Sequence, residues 1–126
     1  DMTIFFRMLS TIRRPDVDDL RFAFYNEDAI PEDEWGDWLG KWWDRVNEKP
    51  DQEKMRSSNP KYVLRNWMSQ LAIDAAEKED YSVAIELYEL LKRPYDEQTE
   101  FESRWFNKRP EWARHRVGCS MLSCSS

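Results

Sequence analysis

Few residues of this 126-residue chain are of types that do chemistry, and the two cysteines are the clearest candidates. Cys119 and Cys124 both lie in the last eight residues, in a Ser-rich sequence. A thiol near a chain end can reach another cysteine and form a reversible disulfide, and the nearby Arg114 and Arg116 would modestly favour the thiolate. The sequence therefore predicts Cys119 and Cys124 as candidate redox residues, against the alternative of two thiols without a role.

Other kinds of active site have little support. The single histidine, His115, lies in a basic polar segment, where a surface position is simpler than membership of a catalytic triad. Two cysteines and one histidine supply at most three ligands, too few for a structural zinc site. The glycines at positions 36, 40 and 118 fit neither a phosphate-binding loop nor a dinucleotide-binding motif. We therefore predict no catalytic, metal-binding or cofactor-binding residue within the chain.

Net charge and hydropathy limit the partners. The formal net charge is −6, so we expect no nucleic-acid partner. No apolar run reaches the roughly 18 residues of a membrane span, so we expect no membrane partner. Residues 16–37 carry nine acids against one base, whereas residues 104–116 are basic. Solvated faces explain this asymmetry most simply, and docking of the two regions onto each other or onto another domain is the alternative.

Helical periodicity dominates the chain and predicts an irregular all-α domain of about five or six helices. The clearest helix is predicted over residues 59–79, with Asn59 as N-cap, Pro60 at the first helical position, and Val63, Trp67 and Leu71 on one stripe. Residues 51–58 are interpreted as a polar lead-in to it. Four further helices are predicted: residues 3–11, a short one capped by Asp16, one opened by Pro31 and one capped by Asp80, which forms a hairpin with the clearest helix.

The helix opened by Pro31 carries an aromatic stripe. Trp35, Trp38, Trp42 and Trp43 follow helical spacing together with Leu39. Such a stripe is typical of core or interdomain packing more often than of a ligand platform. Four indoles exceed what a small domain easily covers, so part of this area is a candidate surface for a partner domain.

After Pro94 the sequence patterns that indicate regular helices become weak. Four aromatic residues are predicted to lie as anchors over the helices, namely Phe101, Trp105, Phe106 and Trp112. The predicted domain organisation is a helical domain over residues 1–117 and a flexible, cysteine-containing tail over residues 118–126. Because the chain begins with Asp1 and shows no signal peptide, we interpret it as a piece of a longer protein, with processing as the alternative.

Several sequence segments together resemble the C-terminal part of the selenoprotein O family, also called YdiU-type proteins. They are DMTIFFRMLS, WWDRVN, NPKYVLRNW, AIDAAEKEDYS, LLKRPYDEQ, RPEWA and the terminal SCSS. The resemblance implies the C-terminal part of a protein-kinase-like fold, a pseudokinase that binds ATP with Mg²⁺ and transfers AMP to protein Ser, Thr or Tyr hydroxyls. The family's catalytic and metal-binding residues precede the matched segment, so none is assigned here and the chain alone is not expected to bind a cofactor.

The same resemblance bears on the cysteines. Cys124 stands third from the end, at the family position held by selenocysteine in some members and cysteine in most others. The partner cysteine of the selenocysteine members, three residues earlier, corresponds to Met121 here, and the extra thiol is Cys119. The resemblance therefore favours pairing of Cys124 with a cysteine of the upstream core over a Cys119–Cys124 couple.

The resulting prediction is a helical C-terminal domain with scaffold and redox-regulatory roles, in cis to an upstream kinase-like core that modifies protein substrates. The family implies the cytoplasm for a bacterial member and mitochondria for a eukaryotic one, with the cytoplasm favoured. Two alternatives are a stand-alone helical protein-interaction module without catalysis and a small thiol oxidoreductase using Cys119 and Cys124.

Overall fold

The structure, a computed structural model, describes residues 1–119. Within that range the prediction of an all-α fold with about five or six helices is confirmed. The six α-helices are α1 (Met2–Leu9), α2 (Glu32–Arg45), α3 (Gln52–Ser58), α4 (Asn66–Ala76), α5 (Ser82–Leu91) and α6 (Glu102–Trp105). Four 3₁₀ helices accompany them, over Val17–Ala23, Glu27–Ala29, Thr99–Phe101 and Glu111–Ala113. The chain divides into two compact units, unit 1 over Asp1–Lys61 and unit 2 from Tyr62 onward.

Unit 1 begins with α1, which forms where the sequence predicts a helix. The Asp1 carboxylate accepts a hydrogen bond from the Ile4 backbone N–H at 3.1 Å and caps the first turn. The turn capped by Asp16 also forms, as a 3₁₀ helix, and Asp16 Oδ1 accepts from the Asp18 N–H. The buried apolar side chains of this unit are Ile4, Phe5, Leu9, Ile12, Leu20, Ala23, Ile30 and Leu39.

The prediction that residues 51–58 are a polar lead-in is wrong, because most of them form helix α3. Asp51 caps the helix by accepting from the Lys54 N–H at 3.0 Å. At the other end, the buried Arg7 Nη1 donates to the carbonyl oxygens of Arg56 and Asn59 at 2.9 and 3.0 Å. Because a helix leaves its last carbonyls without intrahelical partners, this guanidinium stabilises a short polar helix that periodicity does not reveal.

The predicted start of the clearest helix at Asn59 is wrong. Asn59 follows the end of α3, and its Nδ2 donates to the Met55 carbonyl at 2.7 Å, while α4 begins only at Asn66. Tyr62 explains the difference, since it is buried, its N–H donates to the Pro94 carbonyl, and its hydroxyl lies 2.9 Å from the carbonyl oxygens of Glu97 and Gln98. These long-range contacts hold an extended segment that a local capping signal would make helical.

Unit 2 is built on α4 and α5, which pack against each other as the predicted hairpin requires. Glu79 adopts a left-handed φ of 62° after α4, and the Asp80 carboxylate then accepts from the Ser82 N–H at the start of α5. Leu87 and Leu90 of α5 face the core, whereas Tyr88 between them is exposed. The buried residues of this core are Tyr62, Trp67, Met68, Leu87, Leu90, Trp105, Ala113 and Cys119.

The segment after Pro94 packs on the hairpin through specific contacts. Gln98 has a left-handed φ of 40°, and its Nε2 donates to the carbonyls of Leu90 and Arg93 at 2.9 and 2.8 Å. Trp105 is buried as predicted, and its Nε1 donates to Glu86 Oε2 at 2.7 Å. Trp112 does not act as a buried anchor: it is 45% exposed.

Candidate functional site

Cys119 lies in the core of unit 2. Gly118 and Cys119 are predicted to begin a flexible tail, and the Cys119 side chain is free of disulfides and only 7% exposed. A buried thiol is reached slowly by an oxidant or by another thiol. Cys124 and Met121 lie outside the described residues, so the redox role of Cys124 and the flexible tail stay predictions.

Hydrogen bonds and a tight backbone turn fix the position of Cys119. Its N–H donates to the Arg116 carbonyl at 3.1 Å, and Asn66 Nδ2 donates to its carbonyl at 3.4 Å. Gly118 precedes it with a φ of 86°, and a Cβ at that position would meet Gln70 Oε1 at 3.0 Å. Glycine alone combines this backbone conformation with this close approach, so the turn directs Cys119 toward the core.

A bidentate ion pair ties the same turn to α4. Arg116 Nη1 and Nη2 donate to Asp74 Oδ2 and Oδ1 at 2.8 and 2.9 Å, and Gln70 Nε2 donates to Asp74 Oδ1 at 2.9 Å. The hydrogen bond from Arg116 lowers the pKa of the Asp74 carboxyl below its usual range, with a further contribution from Gln70. The Arg116 guanidinium also lies 5.6 Å from the centre of the Trp112 ring. Arg116, expected to activate a thiol, therefore has a well-defined structural partner in Asp74.

The one histidine of the chain, His115, is exposed, consistent with the expected surface position. Among residues 1–119, no group of three or more His, Cys, Asp or Glu side chains is placed to hold a metal ion. In the same range no helix is both long and apolar enough to cross a membrane.

Unit 1 carries an open apolar cavity that we call the aromatic groove. Its volume is about 600 Å³, and it is lined by Asp1, Met2, Phe5, Phe6, Ala23, Phe24, Glu34, Trp35 and Trp38. Trp35 lies at its centre, with ring centroids 5.3 Å from Phe5, 5.2 Å from Phe24 and 5.8 Å from Trp38. These separations are typical of favourable aromatic pairs, so the walls of the groove support one another.

The tryptophan stripe is divided between buried and exposed surface. Leu39 is fully buried, whereas Trp38 keeps 40% of its surface exposed and stacks on Trp42 at 6.5 Å. The stripe therefore contributes both to the core of unit 1 and to an open surface. The helical spacing predicts Trp35 and Trp38 as candidates but does not point to Met2 and Phe6 of α1. The available signal for them was that α1 carries more apolar side chains than one buried face can hold.

Comparisons with known proteins match the chain over its whole length. It is 51% identical to the protein nucleotidyltransferase YdiU of Flavobacterium johnsoniae, 46% identical to that of Aromatoleum aromaticum and 43% identical to that of Rhodopirellula baltica. Each alignment covers 100% of this chain and 26 to 27% of the relative, in its C-terminal part. No protein-family model and no solved structure matches the chain.

Proposed function

This chain belongs to the YdiU family and spans about a quarter of the length of the curated relatives that it matches, and on this basis we propose that it is the C-terminal helical part of a protein nucleotidyltransferase. The intact protein would carry a kinase-like core upstream of Asp1 and transfer AMP from ATP to Ser, Thr or Tyr hydroxyls of protein substrates. The observation that carries the proposal is the 43 to 51% identity to such enzymes over the entire chain. The proposed compartment is the cytoplasm of a bacterial cell, or the mitochondrion for a eukaryotic member.

The role proposed for this chain is scaffolding rather than chemistry. We assign ATP and Mg²⁺ to the upstream core, because the resemblance places the family's nucleotide- and metal-binding residues before the matched segment. The open aromatic groove of unit 1 supports a scaffold role, because it presents an apolar surface for protein contacts.

We also propose that Cys124, rather than Cys119, is the redox-regulatory thiol. The burial of Cys119 in the core of unit 2 supports this assignment, because a buried thiol exchanges slowly. The proposed partner of Cys124 is a cysteine of the upstream core. Oxidation of the intact protein should then give a disulfide that Cys124→Ser abolishes and Cys119→Ser preserves, as mapped by mass spectrometry of non-reduced peptides.

The main experiment is label transfer from ATP carrying a radioactive phosphorus. With the intact protein, Mg²⁺ and a protein acceptor, label in the α-phosphate should appear on the acceptor, whereas label in the γ-phosphate should leave with pyrophosphate. This chain alone should neither bind Mg-ATP in a calorimeter nor label an acceptor.

Two results would contradict the proposal. Transfer of the γ label by the intact protein would indicate a phosphotransferase. Tight Mg-ATP binding with AMP transfer by this chain alone would place a nucleotide site within it.

A further inference from the structure

We propose that the aromatic groove of unit 1 is the docking site for the polypeptide that immediately precedes Asp1 in the intact protein. The inference rests on the proposed function only in that the protein continues upstream of Asp1, as the relatives do. It adds a specific interface, formed by α1, α2 and the 3₁₀ helix Val17–Ala23, and a specific occupant.

The groove is an incompletely covered apolar surface. Met2 is 66% exposed, Phe6 and Trp38 are more than a third exposed, and all three line the groove. A second hollow of about 170 Å³ shares Met2 and Phe6 and is further lined by Thr3, Asn59 and Pro60. Contiguous exposed apolar area of this kind marks a protein interface more often than a solvated surface.

Chain connectivity identifies the occupant. Asp1 lines the groove, and its nitrogen lies 2.5 Å from the carbonyl oxygen of Ala23, another lining residue. Its carboxylate is held by the Ile4 N–H, so Asp1 is fixed on both its backbone and its side chain. A residue joined to that nitrogen must therefore leave from the wall of the groove.

The length of the relatives supports the same occupant. The matched segment is the C-terminal 26 to 27% of the relatives, so about three quarters of their length precedes it. A segment tethered at Asp1 has a high effective concentration at the groove, which a second copy or a separate peptide lacks. Docking in cis is therefore favoured over docking in trans.

The lining predicts the chemistry of the docked segment. Phe5, Trp35 and Trp38 would contact aliphatic or aromatic side chains, which bury apolar area without leaving polar groups unpaired. Glu34, exposed at the start of α2, lines the same groove and would favour a Lys or Arg at its edge.

The test is site-specific photocrosslinking in the intact protein. The substitution Trp38→p-benzoylphenylalanine keeps a large apolar side chain in the groove and makes it photoreactive. Irradiation should give a crosslinked product of monomeric mass, and mass spectrometry should map the bond to residues upstream of Asp1. The same substitution at Met2, which is largely exposed, provides a second position that does not disturb the core.

A matched control is the same substitution at Trp112, which is 45% exposed, lies in unit 2 and is not among the residues that line the groove. Crosslinking to the segment before Asp1 should be lost at that position. Crosslinked dimers that increase with protein concentration would assign the groove to a second copy and overturn the proposal. Bonds only to residues after Asp1, or no crosslink at either groove position, would overturn it as well.

The AMP-transfer assay on the same protein separates this inference from the proposed function. A correct crosslink without AMP transfer would contradict the function and leave the docking intact. AMP transfer without the crosslink would contradict the docking alone.

Discussion

Arg7 is a cation buried in unit 1, and its Nη1 donates to two backbone carbonyls at the end of α3. Burial of a charge is costly unless hydrogen bonds compensate for lost hydration, and carbonyls at a helix C-terminus carry the right partial charge. At the residue scale, Arg7 therefore links α1 to the end of α3 and makes α3 dependent on a distant side chain.

Arg7→Met should destabilise the protein by about 3 kcal/mol, because it keeps apolar volume but leaves the carbonyls of Arg56 and Asn59 without this donor. Urea denaturation followed by circular dichroism measures the loss. The exposed Arg13 is the matched control, and Arg13→Met should change the free energy of unfolding by less than about 0.5 kcal/mol. Equal effects of the two variants would exclude a special role for Arg7.

The pair of Asp74 and Arg116 predicts a pH dependence. The pKa of Asp74 is lower in the folded protein than in the unfolded chain, where it is about 4. The ionised carboxylate therefore contributes its full stabilisation of the fold at pH values above that unfolded pKa. That stabilisation should be lost as the pH falls through the lower, folded pKa. Asp74→Asn should therefore be less stable than the wild type at neutral pH, and the difference should shrink in acid, as measured by urea unfolding across pH.

Arg116→Lys should give an intermediate result, since Lys cannot form the bidentate pair. A difference that is independent of pH would contradict this assignment.

The same pair should control access to Cys119. Arg116→Ala removes the tie between the Gly118 turn and α4, so local opening should become easier and Cys119 should react several-fold faster with a thiol reagent. The rate is measured by stopped-flow alkylation in a Cys124→Ser background. Arg114→Ala is the control, because it removes the pair that Arg114 makes with Glu111, three residues earlier, and it should leave the rate unchanged. A rate equally insensitive to both substitutions would show that the pair does not limit access.

At the scale of the element, the turn that follows α4 holds Glu79 in a backbone conformation that this residue type does not favour. Glu79 has a φ of 62°, its N–H donates to the Ala76 carbonyl, and the Asp80 N–H donates to the Ala75 carbonyl. This is the geometry of a helix C-cap that usually holds glycine, since a left-handed conformation strains other residues. The strain at Glu79 is a local feature that one substitution should relieve.

Glu79→Gly should stabilise the protein by about 1 kcal/mol, because glycine adopts the left-handed conformation without steric cost. Glu77→Gly is the matched control: Glu77 has an ordinary helical φ of −60°, so glycine there should destabilise by roughly 0.5–1 kcal/mol. Thermal denaturation measures both changes. Shifts of the same sign would show that the backbone conformation at Glu79 is not limiting.

The elements that sequence reasoning predicts well are those with local signals. Asp16 caps its turn, α2 forms where Pro31 opens a helix, and Pro94 follows the end of α5, because each signal acts within one helical turn. The start of α4 and the existence of α3 depend instead on Tyr62 and Arg7, whose partners lie far away in sequence. Local propensity does not include these contacts, so the apparent cap at Asn59 predicts the wrong start for α4.

The candidate sites likewise depend partly on local sequence signals and partly on contacts that only the fold makes. Helical spacing identifies the stripe of Trp35 and Trp38, but only the fold brings Phe24 and Met2 to it and forms a cavity. Composition marks Cys119 as a possible reactive thiol, yet its burial follows from the Gly118 turn and from packing against the core of unit 2.

At the scale of the whole molecule, charge sets the class of partner. With a net charge of −6, the chain should show no saturable binding to labelled single- or double-stranded oligonucleotides at about 0.15 M salt, as measured by fluorescence anisotropy. The basic residues 104–116 are the segment most able to bind an oligonucleotide in spite of the net charge. Saturable binding that weakens steeply with added salt would show that this segment acts independently of the net charge.

The stacked indoles of α2 have an optical consequence. Trp38 and Trp42 lie 6.5 Å apart with ring planes only 10° from parallel, close enough for their electronic transitions to couple. Circular dichroism should therefore contain an exciton contribution from this pair that is lost in Trp42→Phe, while those of Trp35–Trp38 at 5.8 Å and of Trp67–Trp105 at 5.9 Å in unit 2 remain. The intact protein would then carry its own spectroscopic reporter beside the groove.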